Sequence, residues 1–318
     1  MRRFHVSFFV ILLALQSAMF AATAARVKVG NGPDFLAVNS VTNQIYVANS
    51  SDGTVSVIDG VTNAVTDTIS VGSQPQGVGV NTATNTIYVA LFAGLSSTVA
   101  VIDGATNTVV TDISVPGATY IGVNSKTNQV FVSDSDNTVR VIDGGTNTVV
   151  ATIEFSHGLE SIAVDQQRNL AYVAEVGAVG VPPSIGVIDG ANDTLVHSFP
   201  LTGAQFIPGL AVDASLNQLY ATDSLAGKLY IINAGTRSLV KTLNIRSSNM
   251  KYVTVGTAHK VWAADPNGNQ IFRIDGVTGT LVATYRVDKG PWGMAVNLAN
   301  DNIYIPLSLT DAIWAVTP

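Results

Sequence analysis

The chain has 318 residues, of which 16 are lysine or arginine and 22 are aspartate or glutamate, so its formal charge is −6. An acidic surface repels phosphate backbones, which argues against a nucleic-acid partner. The sequence contains no cysteine, and this excludes disulfides, cysteine-ligated zinc, c-type haem and a thiol nucleophile.

The first 24 residues have the features of a secretory signal peptide. Arg2 and Arg3 supply positive charge, an apolar run extends from Phe8 to Leu15, and residues 22–24 (Ala-Thr-Ala) form a small-residue cleavage site. The apolar run is too short to cross a bilayer, and no other segment has the roughly 20 apolar residues that a transmembrane helix needs. We therefore expect an exported chain, secreted, periplasmic or at the cell surface, with one domain over residues 25–318.

Two markers repeat along the rest of the chain. An aromatic residue within a short apolar run recurs at Tyr46, Tyr88, Phe131, Tyr172, Tyr220, Trp262 and Tyr304. The motif Val-Ile-Asp-Gly, or a looser form of it, follows each aromatic marker except the last and recurs at intervals of 40 to 46 residues. The third position of the motif is Asp59, Asp103, Asp143, Asp189, Asn233 and Asp275. Each unit contains four short β-type runs. A period of about 42 residues with four strands is typical of propeller blades, so the sequence predicts an all-β, seven-bladed β-propeller.

Polar turn residues separate the strands of each unit. A segment of the type Asp-Gly-Xaa-Thr-Asn follows the third strand, as in Asp59–Asn63, and a Thr-Asn pair such as Thr42–Asn43 lies between the first and second strands. These residues supply the left-handed and side-chain-bonded conformations of tight hairpins. Both sets of turns are predicted on one face, called the uniform face below. The repeated aromatic residues are predicted to pack between the sheets.

The last unit contains only three strands, which we place at Met294–Asn297, Ile303–Leu307 and Ala312–Thr317. Its fourth strand is predicted at the beginning of the mature chain, because Arg26–Gly30 aligns in register with Thr68–Gly72. This closure would leave no open sheet edge between the first and last blades, and open edges promote aggregation.

The most regular repeats read Pro-x-Gly-Val-x-Val-Asn, then Thr-Asn-x-Ile-Tyr-Val-Ala-Asn, then Val-Ile-Asp-Gly-x-Thr-Asn-x-Val, with Tyr-Val-Ala-Asn at residues 46–49. This pattern resembles the YVTN family of β-propeller repeat proteins and covers essentially the whole mature chain. The resemblance implies export, a cell-surface or surface-layer setting and an interaction function, but no single chemistry. The repeats depart from the pattern mainly in blades four to seven.

Function is expected on the face opposite the uniform turns, called the loop-rich face below, because binding residues often lie on loops carried by a rigid scaffold. The distance from the strand-two aromatic to the strand-three aspartate or its equivalent is 15 residues in blade two and 17 in blade four, against 12 or 13 in the other blades. Blades two and four therefore carry raised loops, Leu91–Ser97 and Glu175–Ser184.

Aligning the repeats places two rings of variable residues on the loop-rich face. The mouth ring, around the central channel, comprises Asp34, Gln76, Thr119, Glu160, Pro208, Lys251 and Trp292. The second ring, at the ends of the second strands, comprises Asn49, Leu91, Asp134, Glu175, Asp223, Asp265 and Leu307. A cation beside an aromatic ring could bind an anionic or sugar ligand. The predicted ligand-binding residues are Asp34, Gln76, Lys251 and Trp292.

The second ring is acidic, and this suggests two kinds of chemistry. Converging carboxylates could hold Ca²⁺ or another divalent cation, or could raise one another's pKa for acid/base work. The predicted metal cluster is Asp134, Glu160, Glu175 and Asp223, with Asp34 as a further ligand in an enzyme. The alternative is that these carboxylates are strand ends that stabilise turns.

Histidine usage narrows the possible catalytic groups. His5 leaves with the predicted signal, His259 is expected on the uniform face and His197 on an outer strand, so His157 alone reaches the loop-rich face and a multi-histidine copper or zinc centre is excluded. The neighbouring Ser156 is a poor triad partner, because adjacent residues of an extended chain point to opposite sides. The alternative is an ordinary loop histidine. The candidate catalytic residues are Glu160, Glu175 and His157.

Two functions therefore stay open. The first is a non-catalytic exported propeller, expected to be monomeric, that binds a protein, a glycan or a cell-surface component through the loop-rich face. The second is a divalent-metal-dependent enzyme of the lactonase, lyase or hydrolase type, with an acidic site at the channel mouth, which rests on analogy at the level of fold. A quinone-dependent dehydrogenase is a third idea, and no residues mark a quinone pocket.

Overall fold

A computed structural model describes residues 23–247 and 249–317. These residues form seven four-stranded antiparallel sheets arranged as the blades of a ring. Within the first six blades the strands follow chain order from the channel outwards. The predicted seven-bladed β-propeller is confirmed. Within these residues, no helix is long and apolar enough to span a membrane.

The strand bounds follow the repeat closely. The first half of the chain contains β1 (Thr23–Lys28), β2 (Pro33–Asn39), β3 (Gln44–Asn49), β4 (Thr54–Asp59), β5 (Ala64–Ser70), β6 (Pro75–Asn81), β7 (Thr86–Leu91), β8 (Thr98–Asp103), β9 (Thr108–Ser114), β10 (Ala118–Asn124), β11 (Gln129–Asp134), β12 (Thr138–Asp143) and β13 (Thr148–Glu154). The second half contains β14 (Leu159–Asp165), β15 (Leu170–Glu175), β16 (Ser184–Asp189), β17 (Thr194–Pro200), β18 (Gly209–Asp213), β19 (Gln218–Asp223), β20 (Lys228–Asn233), β21 (Ser238–Asn244), β22 (Tyr252–Val255), β23 (Lys260–Asp265), β24 (Gln270–Asp275), β25 (Thr280–Arg286), β26 (Ala295–Val296), β27 (Ile303–Leu307) and β28 (Ala312–Thr317). Two single 3₁₀ turns lie at Gly94–Ser96 and Thr257–His259.

The seventh blade is closed by the N-terminal strand, as predicted. β1 pairs with β28 in antiparallel register from Thr23 opposite Thr317 to Lys28 opposite Ala312. Most of the predicted signal, residues 1–22, lies outside the described residues. Cleavage after Ala24 would leave four of the six pairs, from Ala25 to Lys28. The innermost strand β26 is shorter than predicted.

The hydrophobic core lies between neighbouring blades. Strands two and three of each blade are covered on both faces by adjacent sheets, so their residues are almost all buried, whereas the outermost strands are largely exposed. The seven repeated aromatic residues have at most 1% of their surface exposed. The hydroxyl of Tyr220 donates to the carbonyl of Gly276 in the next blade. The predicted packing role of these rings is confirmed.

Side-chain hydrogen bonds join neighbouring blades on the uniform face. The residue that ends the innermost strand of one blade, or directly follows it in the case of Asn297, bonds to a residue with positive φ in the first turn of the next. Asparagine pairs make this contact at Asn39–Asn85, Asn81–Asn128, Asn124–Asn169 and Asn297–Asn43. Between blades five and six the same positions hold Asp213 and His259, with 2.7 Å between Oδ2 and Nδ1.

The same turns explain the glycine of the repeated Val-Ile-Asp-Gly motif. A Cβ atom on Gly60 would lie 2.4 Å from Oδ1 of Asn43, which is too close for any side chain. The left-handed residue of that hairpin is Asn63, with φ of 55°. Asp59 Oδ1 accepts hydrogen bonds from the backbone of residues 61 and 62. Glycine is therefore required by the close approach of the asparagine, and Asn63 provides the turn conformation.

Candidate functional site

The loop-rich face is formed by the predicted loops. The loop between β3 and β4 lies against the segment that enters blade one, where the amide of Ser50 donates to the carbonyl of Gly32 over 2.8 Å and the amide of Ser51 donates to the carbonyl of Asn31. Loops between strands two and three and connections between blades thus share one face. This face carries the mouth ring.

The mouth-ring residues are the second residues of the innermost strands or directly precede these strands, except Trp292, which lies three residues before β26. Asp34 and Glu160 are each the second residue of their strands, and both are half-buried. Lys251 immediately precedes β22, and its ammonium lies 4.1 Å from the ring centroid of Trp292. The predicted cation beside an aromatic ring is therefore present.

Three aromatic residues, each directly following a mouth-ring residue in the chain, meet within the channel. Phe35 contacts Tyr120 and Tyr252 edge to face, with ring centroids 5.6 and 5.5 Å apart. These residues come from blades one, three and six, so their rings meet across the axis rather than within one sheet. Tyr252 also packs against Trp292, with a centroid distance of 6.0 Å. We call Phe35, Tyr120 and Tyr252 the aromatic plug, and it forms the floor of the mouth.

The plug depends on glycines in the preceding blades. At the position of each plug residue, the preceding blade has a glycine. These glycines are Gly77 for Tyr120, Gly209 for Tyr252 and Gly293 for Phe35. A Cβ on Gly77 would lie 2.3 Å from the carbonyl oxygen of the residue preceding Tyr120, and one on Gly209 would lie equally close to that of the residue preceding Tyr252. Each glycine therefore allows the next inner strand, with its aromatic residue, to approach. The sequence analysis missed the plug, although this offset of glycine and aromatic residue by one blade was a visible signal.

The two carboxylates of the mouth lie in a poorly solvated setting. The hydroxyl of Tyr120 donates to Oε2 of Glu160 over 2.8 Å. Burial raises the pKa of Glu160 above its ordinary value, while the Tyr120 hydrogen bond and the charge of Lys251 oppose this rise. Burial also raises the pKa of Asp34, and a hydrogen bond with Ser50 opposes it. The pKa of Tyr252 is raised by burial first and then by Tyr120, Glu160 and Asp34.

A polar depression of about 720 Å³ extends from the mouth ring between blades one and two. Two mouth-ring residues, Asp34 and Gln76, connect it to the channel mouth. The complete lining is Asp34, Ser50, Ser51, Asp52, Gly53, Ser70, Gly72, Ser73, Gln74 and Gln76. No apolar side chain takes part in this lining. The raised loops of blades two and four, whose tips expose Leu95 and Val179, do not line it either.

The acidic second ring does not converge on the channel, contrary to the prediction. Oδ2 of Asp134 accepts a hydrogen bond from the Thr138 hydroxyl and forms an ion pair with Arg140 within the same blade. The carboxylate of Asp223 accepts hydrogen bonds from backbone amides on both of its sides, including those of Gln205 and Ala226. Both side chains point away from the channel, because hydrogen-bond donors that would otherwise be unpaired lie in the nearby loops and strands. Both residues thus have the contacts that the turn-stabilising alternative predicts.

Glu175 is also occupied within its blade. Its Oε1 accepts hydrogen bonds from the hydroxyls of Ser184 and Ser198, and its Oε2 accepts one from the backbone amide of Ser156. His157 lies near it, with Nδ1 3.7 Å from Oε2 of Glu175. The structure therefore joins two of the predicted catalytic residues, His157 and Glu175. The third, Glu160, bonds to Tyr120 at the mouth.

The predicted metal cluster of Asp134, Glu160, Glu175 and Asp223 is not assembled. Across residues 23–247 and 249–317, no group of three or more histidine, aspartate or glutamate side chains is arranged to hold a metal ion. The physical reason is that three of the four carboxylates bond to donors in their own blades, whereas Glu160 is held at the mouth. A cation bound at the mouth would have to use the carboxylates of Asp34 and Glu160, the two acidic residues of the mouth ring, as its ligands.

Comparisons with known proteins support the fold alone. No family model and no curated protein matches the chain. Among solved structures, a chain of Kuenenia stuttgartiensis hydrazine synthase is similar, with a TM-score of 0.81 and 15% sequence identity, over 90% of this chain and 96% of that chain. At this identity the likeness extends to the β-propeller and not to the chemistry of the site.

Proposed function

We propose that this protein is a non-catalytic binding propeller that holds a glycan through its loop-rich face. The observation that carries the proposal is the polar depression, which opens onto the channel mouth and is lined by serine hydroxyls, glutamine amides and carboxylates. Its volume lies in the usual range for small-ligand sites, but most such sites are lined by apolar side chains. A lining of hydroxyl, amide and carboxylate groups suits a ligand that is itself rich in hydroxyl groups.

Trp292 supports the same proposal from the other side of Asp34. A Cβ on Gly293 would lie 2.8 Å from the carbonyl oxygen of Asp34, so the Trp292 segment and the first strand of blade one are direct neighbours. An aromatic ring next to a carboxylate offers a sugar both a stacking surface and a hydrogen-bond acceptor. The rings of the aromatic plug meet within the channel beneath the mouth, so a bound chain is expected to lie across the face.

The setting of this activity is also a proposal. The predicted signal peptide and the resemblance to YVTN repeat proteins favour an exported protein at the cell surface, where glycans are abundant. A surface-layer location and a monomeric state belong to the same proposal. Detection of the chain in cell-envelope and culture fractions, with the N-terminal residue of the exported form determined by sequencing, tests both export and the predicted cleavage after Ala24.

An enzyme is the second candidate, and Glu160 is the observation that favours it. A half-buried carboxyl whose pKa is raised is a common general acid. A divalent-metal-dependent hydrolase, lactonase or lyase would have to use Asp34 and Glu160 at the mouth, because the other predicted ligands are engaged in their own blades. Turnover of a bound glycan that is abolished by Glu160→Gln would favour this candidate over binding alone.

The binding proposal is tested by screening the purified protein against an array of cell-surface glycans. We expect retained ligands whose binding is lost in the double variant Asp34→Asn, Gln76→Ala, because both residues connect the depression to the mouth. The matched control is Asp136→Asn, which removes one exposed carboxylate from the blade-three loop and should bind normally. Retention that survives the double variant would contradict the proposed location.

A further inference from the structure

We propose that the channel mouth contains a subsite for an ammonium group, made by the face of Trp292 and the carboxylates of Asp34 and Glu160, so that the preferred glycan carries a free amino sugar. The proposal deepens the proposed function and rests on it. The sequence analysis pointed to a metal cation, or to an anionic or sugar ligand, but not to an organic ammonium group.

The first supporting observation is the position of Lys251. Its ammonium lies over the Trp292 ring at 4.1 Å and has no carboxylate within ion-pairing distance among the described residues. The protein thus places its own cation on an aromatic face, which shows that this point of the mouth stabilises positive charge. Because the lysine stem is flexible and the contact is unsupported by hydrogen bonds, a ligand ammonium can replace it.

The second observation is the balance of charge. The mouth ring contains two carboxylates, Asp34 and Glu160, and one cation, Lys251. Glu160 accepts one hydrogen bond, from Tyr120, at Oε2. Burial raises the pKa of both carboxyl groups, so neither is fully compensated by its present neighbours. A second cation would supply that compensation, whereas an anionic ligand would be repelled.

The third observation is the floor beneath these groups. The aromatic plug places apolar ring surface beneath the mouth, where Phe35 contacts both Tyr120 and Tyr252 edge to face. Charge interactions are stronger next to such a surface than in open water. An ammonium on the face of Trp292 would therefore be held by the ring and attracted at longer range by the carboxylates, as the charge of Lys251 already acts on Glu160.

The neighbouring depression identifies the rest of the ligand. It begins at Asp34 and is lined by serine, glutamine, aspartate and glycine. A basic peptide would be expected to use apolar pockets or an open strand edge as well, and this lining provides neither. Hydroxyl-rich rings joined to an ammonium-bearing ring match both parts, so we favour an amino-sugar glycan over a lysine-rich peptide.

The test compares two tetrasaccharides that differ only in N-acetylation, a glucosamine tetramer and an N-acetylglucosamine tetramer, by titration calorimetry at mildly acidic pH. We expect the glucosamine tetramer to bind about tenfold more tightly. The preference should disappear in Glu160→Gln. Lys251→Ala should strengthen binding of the amino form, because the competing ammonium is gone, whereas the control Lys126→Ala on the uniform face should change nothing.

A simple quaternary ammonium ion separates this inference from the proposed function. Tetramethylammonium should change the tryptophan fluorescence of the full chain, and Trp292→Phe should remove that response while Trp262 and Trp314 remain. Equal binding of both tetramers would overturn the amine subsite and leave glycan binding intact. A fluorescence response to tetramethylammonium without binding of either tetramer would support the subsite but refute a glucosamine-type ligand. Tighter binding of a lysine tetrapeptide would overturn the amino-sugar class.

Discussion

Replacing both Asp213 and His259 by asparagine would convert the contact between blades five and six into the kind that joins four other pairs of blades. In the native protein Asp213 Oδ2 bonds to His259 Nδ1 over 2.7 Å, and Asp213 Oδ1 accepts hydrogen bonds from the Ser215 hydroxyl and from backbone amides. His259 has φ of 58°, a conformation in which asparagine is readily accepted. The double variant Asp213→Asn, His259→Asn reproduces the Asn39–Asn85 type of contact.

The size of the effect follows from these bonds. A hydrogen bond to a charged group contributes about 1.5–3 kcal/mol. The His259 side chain is 34% exposed, and solvent screening therefore favours the low end of this range. We expect His259→Ala to lower the free energy of unfolding by about 1.5 kcal/mol at neutral pH. The double asparagine variant should lie within about 0.5 kcal/mol of the native protein, because it keeps a neutral hydrogen bond.

Acidification should change the free energy of unfolding of the native protein more than that of the double asparagine variant. Burial alone would raise the pKa of Asp213, but hydrogen bonds from Ser215, His259 and Leu216 outweigh it and hold the pKa below 3.8. A depressed carboxyl pKa contributes stability that is present above the unfolded value and is lost as the pH falls through the folded value. The native protein should therefore lose stability below about pH 4, and the double variant should lose less.

Urea unfolding followed by circular dichroism, at neutral pH and again below pH 3.8, measures these differences for the native, His259→Ala and double-variant proteins. Asp136→Asn, at an exposed loop aspartate, serves as the control for the acid limb. Identical acid losses in the native protein and the double variant would refute the assignment of this pH dependence to Asp213. Native-like stability of His259→Ala would show that the contact contributes nothing.

Three further outcomes follow from the fold and the mouth. Gly209→Ala should destabilise the protein by about 1–3 kcal/mol in urea unfolding, because the new methyl group would strike the next inner strand; unchanged stability would contradict the close approach. Val27→Asp should open the closing seam and cause aggregation during size-exclusion chromatography, whereas the exposed neighbour change Lys28→Asp should leave the elution volume unaltered. Chelation and refilling with Ca²⁺ should not move the melting temperature, and a calcium-dependent shift abolished by Glu160→Gln would restore the predicted cation site.

The repeat allowed the fold to be predicted in detail. The seventh blade lacked one strand, and the register of Arg26–Gly30 with Thr68–Gly72 identified the segment that completes it. The observed strand, Thr23–Lys28, begins before the predicted one and ends two residues earlier. Propeller closure is predictable because a period fixes how many strands each blade needs.

The candidate site was predicted less completely. Alignment assigned Asp34, Glu160 and Lys251 to one mouth ring, because equivalent positions of a repeat lie on one ring. It could not show which way a side chain turns, so Asp134 and Asp223 were assigned to the channel although local donors hold them in their hairpins. The plug was missed because its rings come from three separate blades and meet only in the folded ring.

The central claim is that the ligand binds on the loop-rich face at the mouth, above the aromatic plug. Hydrogen exchange measured by mass spectrometry, with and without a glycan retained in the array, tests it most directly. We expect added protection in the segments that begin β2, β6 and β22 and in the loop at residues 50–53, with none in the uniform-face turns. Protection confined to the uniform-face turns, or to the outermost strands, would contradict the account.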